Sequence, residues 1–231
     1  MALQKKRKTI LEDPEVLQEQ FGKTEDFLKK NQNVIMAIGV AIVVIVGGLW
    51  LYRSSIKEQT IEAQAEMFQA VYYFEADSLN KALNGDGNNL GFLDIADEYS
   101  MTDAGNLASF YTGVIYLKQG QYEDAISYLE DFSTPDLLVQ ARAYSLIGDG
   151  YMELDELEEA IKYYNKAANY KPNQYFTPQY LMKLAMAYEA ISDYASAVLT
   201  YEKIMDEFSE SPEINDVKKY KARAEGLAMM K

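Results

Sequence analysis

The sequence predicts an all-α protein in which one membrane-crossing helix near the N-terminus precedes an array of helical hairpins. Three observations lead there. Residues 34–51, VIMAIGVAIVVIVGGLWL, carry no charge. A pattern of small residues and tyrosines recurs three times, its alanines spaced 35 and 37 residues apart. Only five prolines and thirteen glycines interrupt 231 residues, of which 48% are hydrophobic and able to form a core.

The apolar run comes first. Eighteen helical residues rise about 27 Å, close to the hydrocarbon thickness of a bilayer. Lys29 and Lys30 flank one end and Arg53 the other, while Trp50 and Tyr52 stand where interfacial aromatics gather. A buried core helix is the competing reading, but so long a run of β-branched residues argues against it. The run starts too late and is too long for a cleavable signal peptide. With no cysteine to acylate, a lipoprotein is excluded too, which leaves an uncleaved signal-anchor. Seven Lys and Arg residues precede the span, and only Arg53 and Lys57 follow within about twenty residues. That asymmetry predicts a cytoplasmic N-terminus and a translocated C-terminal domain. Ala37, Ala41 and Gly48 fall near one helical face and Gly39 and Gly47 near another, small residues that permit helix–helix contact in lipid. The expected organisation is a tail over 1–33, a transmembrane helix over 34–52, a membrane-proximal helix with a degenerate repeat over 53–104, and repeats closed by a capping helix over 105–231.

The repeat units read Gly113-x-x-Tyr116-x-x-x-Gly120-x-Tyr122-x-x-Ala125-Ile126, then Gly148-x-x-Tyr151-x-x-x-Asp155-x-Leu157-x-x-Ala160-Ile161, then Ala185-x-x-Tyr188-x-x-x-Ser192-x-Tyr194-x-x-Ala197-Val198. Small residues let a first helix A approach a second helix B, and the tyrosines fill the space between them. A Gly, Asp or Ser sits at the turn, where one helix stops and the next begins. This pattern resembles the tetratricopeptide repeat, a unit of about 34 residues that stacks into α-solenoids. The extra residues before the third unit fit a loop at Lys171–Thr177. Upstream, Ala70 and Tyr73 echo the same step, with a partner over Leu79–Leu83, a break at Asn84–Asn89 and a short helix near Leu90–Tyr99. Val217, Tyr220, Ala224 and Leu227 trace the stripe of a C-terminal capping helix.

Mapped by register, helix A positions that line the concave face of such repeats are Leu107, Phe110, Val114 and Leu117, then Arg142, Ser145, Asp149 and Met152, then Gln179, Met182, Met186 and Glu189. The first set is apolar, the second polar, the third methionine-rich and suited to varied apolar ligands. These positions form the expected partner-binding groove.

Catalytic readings fare worse. The chain has no Cys and no His, which excludes thiolate nucleophiles, histidine bases and the zinc sites those residues build. Gly22-Lys23-Thr24 resembles the end of a phosphate-binding loop, but Leu17 stands where the motif needs glycine. Asn84–Asn89 resembles a calcium loop, but Ile95 stands where the bidentate acid belongs. Asp155, Glu156, Glu158 and Glu159 read as a solvated helix start. No enzyme activity, metal or cofactor is expected. Residues 1–33 hold seven basic and six acidic groups, a net +1, and the remainder 15 basic and 30 acidic, a net −15, so the chain's net charge of −14 comes from beyond the tail. A domain that acidic repels phosphate backbones, and nucleic-acid binding is not expected.

Taken together, an early signal-anchor, the Lys29-Lys30-Asn31-Gln32-Asn33 approach, the Trp50-x-Tyr52-Arg53 exit and a degenerate first repeat resemble the YfgM-like ancillary subunits of the SecYEG protein-export translocon. The basic cluster Lys5–Lys8 departs from that pattern. The resemblance implies a single-pass protein of the bacterial inner membrane with a periplasmic repeat domain. It further implies a scaffold that associates with SecYEG and with a membrane-anchored periplasmic chaperone or prolyl isomerase, aiding exported polypeptides. The residues alone leave open another envelope-assembly or division scaffold, or a cytosol-facing import receptor.

Overall fold

A computed structural model describes residues 28–230. The Lys5–Lys8 cluster and the Gly22-Lys23-Thr24 step lie outside them. The described residues form helices and loops without strands.

Helix α1 runs unbroken from Gln32 to Glu75. Neither proline nor glycine occurs between Leu49 and Glu75, so nothing stops the apolar helix at its polar exit. It is long and apolar enough to cross a membrane, and none of its most apolar 18-residue window is buried. Among the described residues no element covers it, so it is not a core helix of the repeat unit. A Cβ added at Gly39, Gly47 or Gly48 would meet nothing within 4 Å, and Ala37 and Ala41 are exposed too. By contacts, residues up to Lys57 form one unit and those from Glu58 onward a second, compact one.

In the second unit α1 is followed by α2 (Leu79–Asn84), α3 (Phe92–Glu98), α4 (Asp103–Gln119), α5 (Tyr122–Asp131), α6 (Leu137–Glu153), α7 (Leu157–Asn169), α8 (Thr177–Ala190), α9 (Tyr194–Glu207) and α10 (Ile214–Met229). Contacts run mainly between successive helices, as in a solenoid. Pairs α4–α5, α6–α7 and α8–α9 are the three hairpins, and α10 closes the array by burying Val217 and Ala224 on α9. The small residues act as the spacing requires. Ala125, Ala160, Ala185 and Ala197 are fully buried. A Cβ on Gly113 would lie 2.5 Å from Leu129 Cγ, and one on Gly148 2.7 Å from the Tyr164 ring.

Each helix A ends in the same turn. Gly120, Asp155 and Ser192 adopt left-handed φ of 76°, 60° and 59°. The following amides of Gln121, Glu156 and Asp193 donate to the carbonyls of Tyr116, Tyr151 and Tyr188, each at 2.9 Å. This is the six-to-one bond of a Schellman cap. A fourth copy closes α1: Asp77 has φ 54° and Ser78 N donates to Tyr73 O at 2.8 Å. Helix α1 therefore ends as a helix A, with the six-residue α2 as a truncated partner. Because aspartate is strained in the left-handed region while glycine is not, Asp155→Gly should stabilise the repeat unit by about 0.5–1 kcal/mol, read as a raised urea midpoint. A lowered midpoint would mean the Asp155 side chain makes a contact worth more than that strain.

The Asn84–Asn89 segment is a braced turn. The Asp86 carboxylate accepts hydrogen bonds from Tyr73 OH at 2.6 Å and from the amides of Asn88 and Asn89 at 2.9 and 2.8 Å. Beneath it Phe92 stacks on Tyr111 at 4.8 Å, with Phe74 edge-on to both. The loop before α8 folds back to the loop before α6. Lys171 Nζ donates to Pro135 O at 2.7 Å and Tyr170 OH to Thr134 O at 3.2 Å, which accounts for the wider spacing there.

Candidate protein-binding groove

Helices α4, α6 and α8 carry the twelve register positions, and stacking of units decides which reach solvent. Leu107, Arg142, Gln179 and Met186 are exposed. Leu117, Asp149, Met152, Met182 and Glu189 are half-buried, while Phe110, Val114 and Ser145 are buried. Phe110 and Val114 thus correct the expectation of an apolar strip on the first unit. They are 8% and 9% exposed, packed with Ile126, Phe132, Ala143 and Ile147 where the second unit stacks on the first. Met152 and Met182 likewise lean into the C-terminal core, leaving Met186 as the open methionine.

An open cleft of about 470 Å³ remains between α6 and α8. Arg142, Ser145 and Gln179 of the twelve positions line it, joined by Leu138, Phe176 and Lys183, which register reasoning missed. Lys183 follows Gln179 by four residues and so shares its helical face, a signal available in the sequence. Leu138 and Phe176 stand near helix starts, where unit boundaries are hardest to place.

Lys183 is committed inside the fold. Its Nζ donates to both carboxylate oxygens of Asp149, at 2.6 and 2.8 Å, and to Ser145 Oγ at 3.2 Å. Asp149 also accepts from Tyr164 OH at 2.7 Å. One polar tie therefore joins both helices of the second unit to the first helix of the third. The scheme recurs beyond it: Glu189 accepts from Tyr201 OH at 2.7 Å and pairs with Arg223 of α10 at 2.5 Å. Burial, reinforced by the neighbouring carboxylate, pushes the Tyr164 and Tyr201 hydroxyls well above the usual phenol range. Glu189 is thus held by the capping helix. Arg142 differs, for no carboxylate pairs with it among the described residues. Its charge lies near Tyr180, offsetting part of the upward shift that burial gives that phenol. The cleft so combines apolar walls with a cation that retains its donors. Among the described residues no cluster of acids has metal-binding geometry.

Two tetratricopeptide-repeat family models match the chain, one at residues 107–134 and 179–211, the other at 141–174. These segments coincide with the three hairpins. No curated protein matches the chain. Among solved structures, TPR-like repeats of a kinesin-light-chain-type protein from Podosopora anserina superpose with a TM-score of 0.57 at 14% identity, covering 74% of this chain and 88% of that one. MamA gives 0.52 at 17% identity, with 72% and 88% covered. MamA from Desulfovibrio magneticus RS-1, residue 41 to its end, gives 0.51 at 20%, with 72% and 93% covered. At these identities the likeness is one of fold. Arrays of this kind serve as scaffolds for protein–protein contact and typically carry no catalysis. The helices from Asp103 to Met229 form a tetratricopeptide-repeat solenoid.

Proposed function

We propose that this protein is a membrane-anchored scaffold whose repeat domain stands on the periplasmic side of the bacterial inner membrane. There it associates with the SecYEG translocon and a membrane-anchored chaperone or prolyl isomerase, and receives exported polypeptides. The observation that carries this reading is one helix, apolar and uncovered at its N-terminal part, that continues without a break into a repeat array. The Lys and Arg asymmetry around the span supports the orientation. In this reading residues 1–33 are the cytoplasmic tail, 34–52 the span, 53–104 the membrane-proximal helix and degenerate repeat, and 105–231 the repeats with their cap. Gly39, Gly47 and Gly48, with Ala37 and Ala41, offer surfaces for helices of the translocon.

The α6–α8 cleft takes an extended or helical segment. Apolar side chains lie between Leu138 and Phe176, and a carbonyl or carboxylate accepts from Arg142. Leu107, Met186 and Gln179 extend the surface on either side.

Photo-crosslinkers placed at 142, 179 and 186 of the full chain in cells test this. The expected adducts are translocon subunits, a periplasmic chaperone or exporting chains. Replacing Leu138, Phe176 and Met186 together by Ser should cut those adducts at least tenfold with helical content unchanged, since all three are exposed. Adducts confined to cytoplasmic proteins would overturn the orientation. Adducts unaffected by the triple substitution would overturn the cleft.

A further inference from the structure

We propose that α1 carries a second interaction surface, on the face opposite its core contacts, that takes an amphipathic helix with basic flanks from a different protein. On the inner face Ala63, Met67 and Ala70 are 0%, 7% and 0% exposed. At 3.6 residues per turn, Ile61, Ala65, Phe68 and Tyr72 lie about half a turn away, in one row roughly 17 Å long. No element of residues 58–230 covers that row. Ile61, Phe68 and Tyr72 are 64%, 77% and 58% exposed. At the other end of the solenoid α10 shields the equivalent flank, so the two ends are treated differently. Two open aromatics and an isoleucine, aligned on a rigid helix, have the make-up of an anchor row rather than of scattered surface apolar residues.

Charge selects the occupant. Between residues 58 and 75 the chain has four acids, Glu58, Glu62, Glu66 and Glu75, and no Lys or Arg. None of the four forms an ion pair among the described residues. A second copy of this helix laid along the first would bring these carboxylates against one another, and an anionic lipid surface would be repelled in the same way. A helix with an apolar stripe between lysines or arginines meets both requirements: its stripe covers Ile61, Phe68 and Tyr72, and its cations reach Glu58, Glu62 and Glu66. None of these residues lines the α6–α8 cleft, so the two surfaces stand or fall separately.

The test uses the full chain in nanodiscs of zwitterionic lipid and two fluorescent 18-residue helical peptides. One has a leucine stripe flanked by lysines, the other the same stripe flanked by glutamates. Anisotropy should report binding of the lysine peptide, weakened at least tenfold by Phe68→Ser with Tyr72→Ser. Glu58→Gln, Glu62→Gln and Glu66→Gln combined should weaken it as much, and Leu138→Ser with Phe176→Ser should leave it unchanged. The glutamate peptide should bind at least tenfold more weakly than the lysine peptide. Circular dichroism should show the same helical content in each variant; were Phe68→Ser to lower it, Phe68→Ala is compared instead. Equal binding of the two peptides, or an unchanged affinity in the Phe68 and Tyr72 variant, would overturn the proposal. So would a benzophenone at position 68 that crosslinks chiefly to a second copy of this chain.

Discussion

Tyr201→Ala should lower the stability of the repeat unit by about 3–5 kcal/mol. Tyr201 lies on α9, between α8 and α10, and is fully buried. Its ring stacks on Tyr220 of the capping helix with centroids 6.4 Å apart, and its hydroxyl donates to Glu189 at 2.7 Å. Truncation opens a cavity of aromatic size in contact with both neighbours, and close-packed helices fill such a space only partly. Tyr201→Phe separates the two contributions. It keeps the ring and removes one hydrogen bond, while Glu189 retains Arg223, so about 0.5–1.5 kcal/mol is expected. Urea unfolding of residues 58–231, which form their own compact unit, measures both. A loss below about 1 kcal/mol for the alanine variant would mean that α10 does not pack as described.

The second large effect is one of sign. Glycine inside a helix normally costs about 1 kcal/mol against alanine. Gly226→Ala, on α10 with nothing within 4 Å of the new Cβ, should accordingly stabilise by roughly that amount. Gly148→Ala should instead destabilise by about 1–2 kcal/mol, because overpacking outweighs the propensity gain. The new Cβ would lie 2.7 Å from two Tyr164 ring atoms. That ring is 4% exposed and its hydroxyl is bound to Asp149, so it has little room to swing aside. Paired melts of the two variants decide it; shifts of the same sign would show that α6 and α7 do not depend on a bare backbone at Gly148.

These residues also show what was legible in the sequence. The repeat register was, because Gly148, Ala160 and the turn residue Asp155 recur at fixed spacing and each is required by helix contact or by a left-handed turn. Periodicity also marked the short partner helix at Leu79–Leu83 and the cap stripe through Val217. Burial of the groove positions was not legible. Phe110 and Val114 occupy register positions that open outward in an isolated hairpin, and only the stacking of the second unit covers them. Glu189 reads as a groove acid until α10 brings Arg223 to it. Lys183 looks like a free cation until Asp149, 34 residues earlier, takes its donors. Such pairings depend on contacts between units, which carry no spacing of their own.

The residue types that hold the solenoid together have a consequence for its surroundings. The polar ties use carboxylates and phenols, and the chain has neither His nor Cys. Hydrogen bonds to Tyr73 and to backbone amides hold Asp86 well below the usual carboxylate range, and backbone amides do the same at the Asp136 helix cap. Depressed acids of this kind stabilise the fold above their unfolded pKa of about 4, and that contribution fades as pH falls through the folded value. Tyr164 and Tyr201 are shifted upward. Their contribution is complete below the unfolded phenol pKa of about 10 and is lost as pH climbs past it toward the folded value. Between about pH 5 and pH 9 none of these four groups, Asp86, Asp136, Tyr164 and Tyr201, changes its proton count on unfolding, and their contribution to stability is constant there. With no Cys, thiol–disulfide exchange has no hold on this solenoid, and with no His it has no imidazole to charge as its medium turns mildly acidic.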